Sequence, residues 1–251
     1  MTPHDVRPDD PLVRWMVAPD HAKTAGDLSP ARPCVSDGSN VAWLGRAARP
    51  GERWVTGVGE DPDSVVRLVT RIADEHEVDG VTVSASAFEH LPTRLRPPDP
   101  GRWSFWVLDE QAAAVGSAGA HALELDDPRI LPLLSHSDSA HIFPGDPRMV
   151  RWSGIEKDGT LLSVAGQVTE ASGAAHVLSV CTHPDARGQG LAREVCAHLI
   201  AAARADGAPA VVLEMYTANE AGRRTYTSLG FRECGRYASG LLASGTPTLR
   251  S

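Results

Sequence analysis

One short segment of the sequence is rich in glycine and lies between a predicted strand and a predicted helix. Arg187–Ala192 reads RGQGLA; it follows an apolar run that ends at Thr182 and opens the amphipathic stretch Gly190–Arg204. Glycines let a backbone approach a pyrophosphate because no Cβ stands in the way. Free N–H groups at a helix start, together with the positive end of the helix dipole, bind phosphate. The segment therefore predicts a phosphate-binding loop.

Two familiar phosphate-binding motifs do not fit this loop. A P-loop requires Gly-Lys-Ser/Thr, but Gly190 is followed by Leu191. A dinucleotide fingerprint that starts at Gly188 requires a small third residue, and Arg193 holds that position. From these residues alone, a glycine-rich turn without a ligand stays open as the alternative.

Several ionisable side chains in this half of the sequence are candidates for acid–base chemistry or substrate contact. Glu214 lies in an otherwise apolar run, where burial raises a carboxyl pKa toward the range of a general base. His176 and His183 flank the strand before the loop and are candidates for proton relay, whereas His141 and Asp146 are weaker candidates for substrate contact. An ordinary role stays open for each: a solvated carboxylate for Glu214, and a hydrogen-bonded or exposed imidazole for the histidines.

The elements that position these residues are short strands and helices in alternation. In the first half, we predict strands at Asn40–Gly45, Arg53–Val58, Val81–Ser84 and Trp103–Leu108, and helices at Asp61–Ile72 and Ala85–Leu95. The small residues Gln111–Gly119 predict a linker. The second half begins at His121–Leu125, followed by a short helix that Asp126-Asp127-Pro128 caps and that ends at Leu134. Beyond it we predict a hairpin of Met149–Glu156 and Thr160–Val168, strands at Ala174–Thr182 and Val211–Tyr216, helices at Gly190–Arg204 and Asn219–Leu229, and a strand pair from Phe231 onward.

Composition and charge exclude several classes of protein. Hydrophobic residues make up 42% and charged residues 22% of the 251 residues, the balance of a globular protein long enough for two domains. No run approaches the roughly 20 apolar residues of a membrane span, and Met1–Asp10 has no apolar core for export, so we expect a cytoplasmic protein without membrane contact. A net charge of −8 argues against nucleic-acid binding. Four cysteines without CxxC spacing predict reduced thiols and no metal site: Cys34, Cys181, Cys196 and Cys234.

The loop at Arg187–Ala192 resembles the Arg/Gln-x-x-Gly-x-Gly/Ala signature of the GNAT superfamily of N-acetyltransferases. Further along, LEMYTAN at Leu213–Asn219 and YTSLGF at Tyr226–Phe231 look like the fifth strand and the fourth helix of that family. The resemblance covers about residues 117–246. The sequence departs from the family pattern at Gly222, where Ala is usual, and at Thr225, where Leu normally precedes the Tyr.

This resemblance implies an α/β fold with a mixed, mostly antiparallel sheet flanked by helices, and acetyl-CoA as the donor. In the family the fourth strand separates from the fifth, and the pantetheine arm lies in the gap. The residues that the resemblance assigns to pantetheine are Val180, Cys181, Thr182 and Asn219, and those that it assigns to pyrophosphate are Arg187, Gly188, Gln189, Gly190, Leu191, Ala192 and Arg193. It further implies that Tyr226 is the general acid near the sulfur and that Glu214 is the general base, acting through water. A packing role for Tyr226 stays open.

The two halves of the sequence also resemble each other. Pro62-Asp63 aligns with Pro184-Asp185, each pair between a strand and an amphipathic helix. Val65–Leu68 stands in the first half where the second has its glycine loop, so the first half is not expected to bind CoA there. We therefore predict tandem acetyltransferase-like domains, a degenerate one at residues 1–112 and a catalytic one at 117–251.

The expected function is acetyl transfer from acetyl-CoA to an amine by direct attack in a ternary complex. The acceptor stays open, as a small molecule or a protein N-terminus, and so does the choice between a monomer and a homodimer. Two alternatives are a non-catalytic acyl-CoA sensor or scaffold and an acyltransferase for a longer acyl-CoA. The presence of both Glu214 and Tyr226 favours the enzyme.

Overall fold

The computed structural model describes residues 11–16, 33–46, 52–108 and 119–243 of the chain. These residues form two compact units. Unit 1 contains the described residues up to Phe105, Met215–Ala218, and the described residues from Cys234 onward; unit 2 contains the described residues between Trp106 and Glu214, together with Asn219–Glu233. The sequence-based division into residues 1–112 and 117–251 stays a prediction, and this grouping differs from it by placing residues 234–243 with the first half.

Short elements make up both halves of the chain. The first half holds α1 (Pro11–Met16), β1 (Cys34–Asp37), β2 (Asn40–Arg46), β3 (Arg53–Val58), α2 (Pro62–Glu75), β4 (Gly80–Ser84), α3 (Ala85–Phe88) and β5 (Gly101–Leu108). The second half holds β6 (His121–Leu123), α4 (Ile130–Leu134), β7 (Met149–Lys157), β8 (Thr160–Thr169), β9 (Ala175–Thr182), α5 (Leu191–Ala205), β10 (Val211–Tyr216), α6 (Glu220–Ser228) and β11 (Phe231–Leu241). Among the described residues, no helix combines the length and the apolar character that a membrane crossing requires.

In unit 1 the strands lie in the order β1-β2-β3-β4-β11. β3 and β4 run parallel, and the other neighbours are antiparallel. α2 follows β3 and begins at Asp61, whose carboxylate accepts a hydrogen bond from the Asp63 amide at 3.0 Å. Pro62 suits the first helical position, where an N–H would have no intrahelical acceptor. The apolar face of α2 lies in the core of this unit, through Val65, Leu68, Val69 and Ile72.

In unit 2 the strands lie in the order β10-β9-β8-β7-β6, with β9 and β10 parallel and the other neighbours antiparallel. The hairpin predicted between β7 and β8 is confirmed, since Lys157 pairs with Thr160. Its two turn residues are both left-handed, Asp158 with φ 51° and Gly159 with φ 77°. Such a turn matches the natural twist of two antiparallel strands. On α5, the residues buried at the predicted spacing are Val195, Leu199 and Ala203.

Both halves of the chain share one succession of elements. Three antiparallel strands lead into a helix, a strand parallel to the third, a second helix and a final strand: β1-β2-β3-α2-β4-α3-β5, and β7-β8-β9-α5-β10-α6-β11. The final strand of the second half nevertheless pairs in unit 1, where Tyr237–Leu241 lies antiparallel to Gly80–Ser84. Unit 1 is therefore completed by residues that come late in the sequence.

The helix predicted at Ala85–Leu95 is wrong in its length. The chain forms α3 and then a separate 3-10 turn at Thr93–Leu95. Pro92 divides them, because it has no N–H to donate and disfavours helical angles in the residue before it. The linker predicted at Gln111–Gly119 lies outside the described residues except for Gly119.

The strand pair predicted from Phe231 onward is also wrong, since the described residues there form the single strand β11. The glycines inside this strand allow close packing. A Cβ built on Gly240 would lie 2.6 Å from Pro97 Cβ, and one built on Gly235 would clash with Tyr237 Oη. Glycine inside a strand marks such close approaches as well as turns.

Candidate active site

The parallel strands β9 and β10 are paired at only two positions. Val211 pairs with Ala175 and Val212 with His176, although both strands continue. In the part of the chain that the structure describes, no further ladder pair joins them, whereas the other edge of β9 stays paired with β8 as far as Thr182. The two strands therefore separate after His176, and the β10-facing edge of β9 is left without a strand partner.

The backbone of β9 is distorted beside this opening. The register between β8 and β9 shifts between Val164 and Gly166, and Ser179 has a φ of 49°. A residue other than glycine in the left-handed region costs about 1–3 kcal/mol, and such strain clusters at functional sites. The Ser179 hydroxyl donates to the Ile142 carbonyl at 2.8 Å, which ties the segment before β7 to the distorted strand.

The predicted phosphate-binding loop lies between β9 and α5. Gly188 and Gly190 have φ values of 79° and 81°, and a Cβ built on either would meet no atom within 4 Å. The loop from Arg187 to Gly190 is exposed, and α5 begins at Leu191. The first amides of a helix have no intrahelical acceptor. The loop therefore presents backbone donors to solvent with room for a bulky anion in front of them.

The side chain of Arg187 contacts the protein itself. Its Nε donates to the Thr182 carbonyl at 3.3 Å, and its Nη2 donates to the His136 carbonyl at 3.2 Å. These bonds join the loop to the end of β9 and to the segment after α4. The guanidinium thus holds the loop in place. The Arg187 amide donates to the Pro184 carbonyl and the Arg193 amide to the Gly190 carbonyl, so the amides that remain candidates for a ligand are those of residues 188–192.

The remaining residues assigned to the donor lie along the end of β9 and at the first turn of α5. Cys181 is buried, with its thiol directed to the Leu133 carbonyl at 3.2 Å, and Thr182 Oγ1 lies 2.9 Å from Ser163 Oγ. Val180 is half-buried beside them. Gln189 is exposed, and the half-buried residues that follow it are Leu191, Ala192 and Arg193.

Asn219 begins α6 as its N-cap. Its Oδ1 accepts a hydrogen bond from the Gly222 amide at 2.8 Å. A Cβ built on Gly222 would lie 2.7 Å from Asn219 Nδ2. The departure from the family's usual Ala at Gly222 is thus explained, because glycine makes room for the capping amide.

Tyr226 is buried on α6, and its ring meets Phe231 edge to face with centroids 6.0 Å apart. Burial raises the pKa of its phenol, and the neighbouring Cys196 adds to the effect. The hydroxyl therefore keeps its proton at neutral pH, which is the state that a general acid requires.

Glu214 and His176 share one face of unit 2. Val212 pairs with His176, and Glu214 lies two residues beyond Val212 on the same side of the strand. Burial raises the pKa of the half-buried Glu214 carboxyl, and His176 and His141 oppose that shift. A carboxylate with a raised pKa matches the proton affinity that a general base needs near neutral pH.

His176 is the predicted histidine that the structure brings close to Glu214 on the sheet. It is buried, and its Nδ1 lies 2.7 Å from Glu170 Oε1. Sequence reasoning missed Glu170 because this acid lies in a turn after β8, where nothing in the pattern distinguishes it from an ordinary surface acid. Ser179 was missed for a similar reason, since its side chain gives no sign of a left-handed backbone.

The other predicted residues have more ordinary surroundings. His183 Nδ1 accepts from the Asp185 amide at 3.3 Å, so this histidine caps a 3-10 turn. Asp146 holds Arg148 through both carboxylate oxygens, and this guanidinium lowers the pKa of the Asp146 carboxyl. His141 is exposed and acts on Glu214 through its charge.

Comparisons with known proteins agree with this geometry. A search of curated proteins gives no match. Among solved structures, a GNAT-family protein from Novosphingobium aromaticivorans is 23% identical, covers 98% of this chain and 100% of its own, and superimposes with a TM-score of 0.59. A GCN5-related N-acetyltransferase from Kribbella flavida is 17% identical over 86% of this chain and 90% of its own, with a TM-score of 0.55. A GNAT-family acetyltransferase from Colwellia psychrerythraea is 11% identical over 86% and 87%, with a TM-score of 0.53.

At these identities the structures show a shared fold, a mixed and mostly antiparallel sheet flanked by helices. The family itself is shown by sequence: a model described as the acetyltransferase (GNAT) family matches residues 72–231. That match includes the open edge of β9, the glycine loop, Glu214 and Tyr226. The chain therefore belongs to the GNAT acetyltransferase family.

Proposed function

We propose that this chain is an N-acetyltransferase that moves the acetyl group of acetyl-CoA directly to an amine in a ternary complex. One observation carries the proposal: an unpaired strand edge ends at an exposed loop with two left-handed glycines. An unpaired strand offers hydrogen bonds to the amide groups of pantetheine, and the loop offers N–H groups to pyrophosphate. The two surfaces follow each other along the chain in the order that CoA requires.

Two side chains supply the acid–base chemistry in this proposal. Glu214 takes a proton from the attacking amine through a water molecule, since its raised pKa makes it a stronger base than an ordinary carboxylate. Tyr226, which stays protonated, gives its proton to the departing thiolate of CoA. The net result is one N–C bond formed, one S–C bond broken and one proton moved from nitrogen to sulfur.

At the corresponding position in unit 1, three backbone amides already have side-chain acceptors. The Asp61 amide donates to Asn40 Oδ1 at 3.0 Å, the Asp63 amide to Asp61 at 3.0 Å, and the Gly59 amide to Ser84 Oγ at 3.2 Å. The carboxylates of Asp61 and Asp63 also repel an anion at the start of α2. These contacts support the hypothesis that the first half is a degenerate copy without a donor site there.

Calorimetric titration of the full chain with acetyl-CoA is therefore expected to give one binding site per chain. The glycine loop of unit 2 accounts for this site, because at the corresponding position of unit 1 the amides of Gly59, Asp61 and Asp63 already have side-chain acceptors. A stoichiometry near two would contradict the assignment of the first half as degenerate.

Replacing Gly190 with Val is expected to weaken acetyl-CoA binding at least tenfold, or by about 1.4 kcal/mol. Its φ of 81° disfavours a branched residue, and the new side chain enters the open space in front of the loop. Gly207→Val is the matched control, because Gly207 has a φ of 74°, open space around it and a position after α5. Equal dissociation constants for Gly190→Val and the control would remove the loop from the donor site.

The enzyme assignment is tested by following CoA release with acetyl-CoA and a panel of amines, from amino acids and polyamines to peptide N-termini. Turnover with at least one acceptor supports the proposal. Tight donor binding without any CoA release across the panel would instead indicate a sensor or scaffold. Repeating the assay with propionyl-CoA and longer acyl-CoAs shows whether acetyl is the preferred group.

A further inference from the structure

Glu170 and His176 form a buried pair at the start of the opening between β9 and β10. His176 Nδ1 and Glu170 Oε1 are 2.7 Å apart, and the two side chains are 6% and 19% exposed. His176 is also the last residue of β9 that pairs with β10. The pair therefore lies where the sheet stops being continuous and the candidate site begins.

Charged groups from several elements act on His176. Burial alone lowers its pKa, but the hydrogen bond that His176 donates to Glu170 and the negative charges of Glu214 and Glu170 raise it overall, against the opposing charge of Arg148. On Glu214 the corresponding groups are His176 and His141, which lower the carboxyl pKa, and Glu170, which raises it. Arg148 is held by Asp146, so its charge is already partly compensated.

We propose that Glu170 and His176 are positioning residues that hold an imidazolium beside Glu214 and thereby keep the base ionised while an amine is bound. This inference rests on the proposed function. It adds a pair of residues that sets the pH above which Glu214 can accept a proton. Burial by itself drives Glu214 toward its protonated form, which accepts no proton. A cation fixed on the same sheet face offsets that tendency.

Glu170 and His176 are suited to this role because Glu170 both orients the imidazole ring and favours its protonated form. The Glu170 carboxylate accepts a hydrogen bond from His176 Nδ1, and this bond fixes the orientation of the imidazole ring. Without Glu170, burial of His176 would favour the neutral imidazole. Glu170 thus favours the ionised base through the histidine, and this indirect effect opposes the direct effect of its own charge, which raises the Glu214 pKa.

The first test compares pH profiles of kcat/KM for wild type, His176→Asn and Glu170→Gln. Asn places an amide N–H near the position of Nδ1 and keeps a donor toward Glu170 while it removes the charge. Loss of the cation raises the Glu214 pKa, so the acid limb is expected to move to higher pH by about one unit in His176→Asn. The shift is expected to be smaller in Glu170→Gln, because loss of the Glu170 charge lowers the Glu214 pKa directly. His90→Asn is the matched control, since His90 Nδ1 lies 2.8 Å from Asp63 on the exposed surface of unit 1. An unmoved acid limb in folded His176→Asn would overturn the proposal.

The second test does not depend on turnover. In an NMR titration of the imidazole signals, His176 is expected to lose its proton at lower pH in Glu170→Gln and in Glu214→Gln than in wild type. A His176 titration that is the same in wild type and Glu214→Gln would overturn the coupling even if the enzyme is active. An inactive wild type with intact coupling would overturn the proposed acetyl transfer instead, so the two failures are distinguishable.

Discussion

Glu214→Gln is expected to lower kcat/KM by about 10²–10⁴-fold at neutral pH, while the dissociation constant of acetyl-CoA stays within about twofold. The amide has nearly the same shape as the carboxylate but cannot accept a proton. The acid limb of the wild-type profile is expected above the ordinary carboxyl range, because burial raises the Glu214 pKa. Steady-state kinetics across pH, with donor binding measured separately, checks both statements.

The stability of this variant separates catalysis from folding. A carboxyl group whose pKa is raised in the folded state favours folding below that pKa, and this contribution is lost as the pH rises through it. Gln has no charge to bury, so the variant should unfold at the same temperature as wild type at neutral pH, or at a higher one. Glu156→Gln, on strand β7 of the same unit, is the control for a general effect of removing a carboxylate. Wild-type kcat/KM in Glu214→Gln would exclude Glu214 as the base.

Tyr226→Phe is expected to lower kcat by about 10²-fold with little change in donor binding, since the interaction is made mainly in the transition state. General acid catalysis contributes about 10²–10⁴-fold, and the lower end applies here because a thiolate is a good leaving group and water partly substitutes for the phenol. Single-turnover measurements report the rate of the chemical step without a contribution from product release.

If Tyr226 has only a packing role, Tyr226→Phe is expected to give a different result. Phe keeps the ring and its edge-to-face contact with Phe231, so activity and stability would both survive. Tyr237→Phe provides the control, because Tyr237 is a buried tyrosine of unit 1 that stacks on Trp103. Wild-type kcat in Tyr226→Phe would remove this residue from the mechanism and leave the donor site unaffected, since that site depends on the β9 edge and the glycine loop.

Local patterns allowed much of the fold and the conformation of the glycine loop to be predicted. The Asp-Gly turn, the apolar spacing of α5 and the glycines after Thr182 each act over a few residues, so their consequences can be read from a short stretch of sequence. Asn219 was predicted to contact pantetheine, and its capping of α6 is compatible with that hypothesis because Nδ2 is not used by the cap bond.

Features that depend on how strands and turns pack together were harder to predict. The Glu170–His176 pair depends on how the turn between β8 and β9 brings the two side chains together. The left-handed conformation of Ser179 depends on the register between β8 and β9. The single strand β11 was missed because its glycines pack closely against Pro97 and Tyr237, which no local pattern reveals. In each case tertiary packing, rather than propensity, determines the local conformation.

The pairing of β11 with β4 has a consequence for the order in which the protein is made. Thr82 and Ser239, whose hydroxyl oxygens lie 2.8 Å apart across these strands, are separated by 157 positions in sequence. Contacts of such separation form slowly, because a long loop must close before they stabilise anything. During synthesis, β4 leaves the ribosome with an open edge, the kind of edge that attracts other strands and chaperones. Most residues of unit 1 are therefore translated first, but the sheet of this unit is complete only after Tyr237–Leu241 have been made.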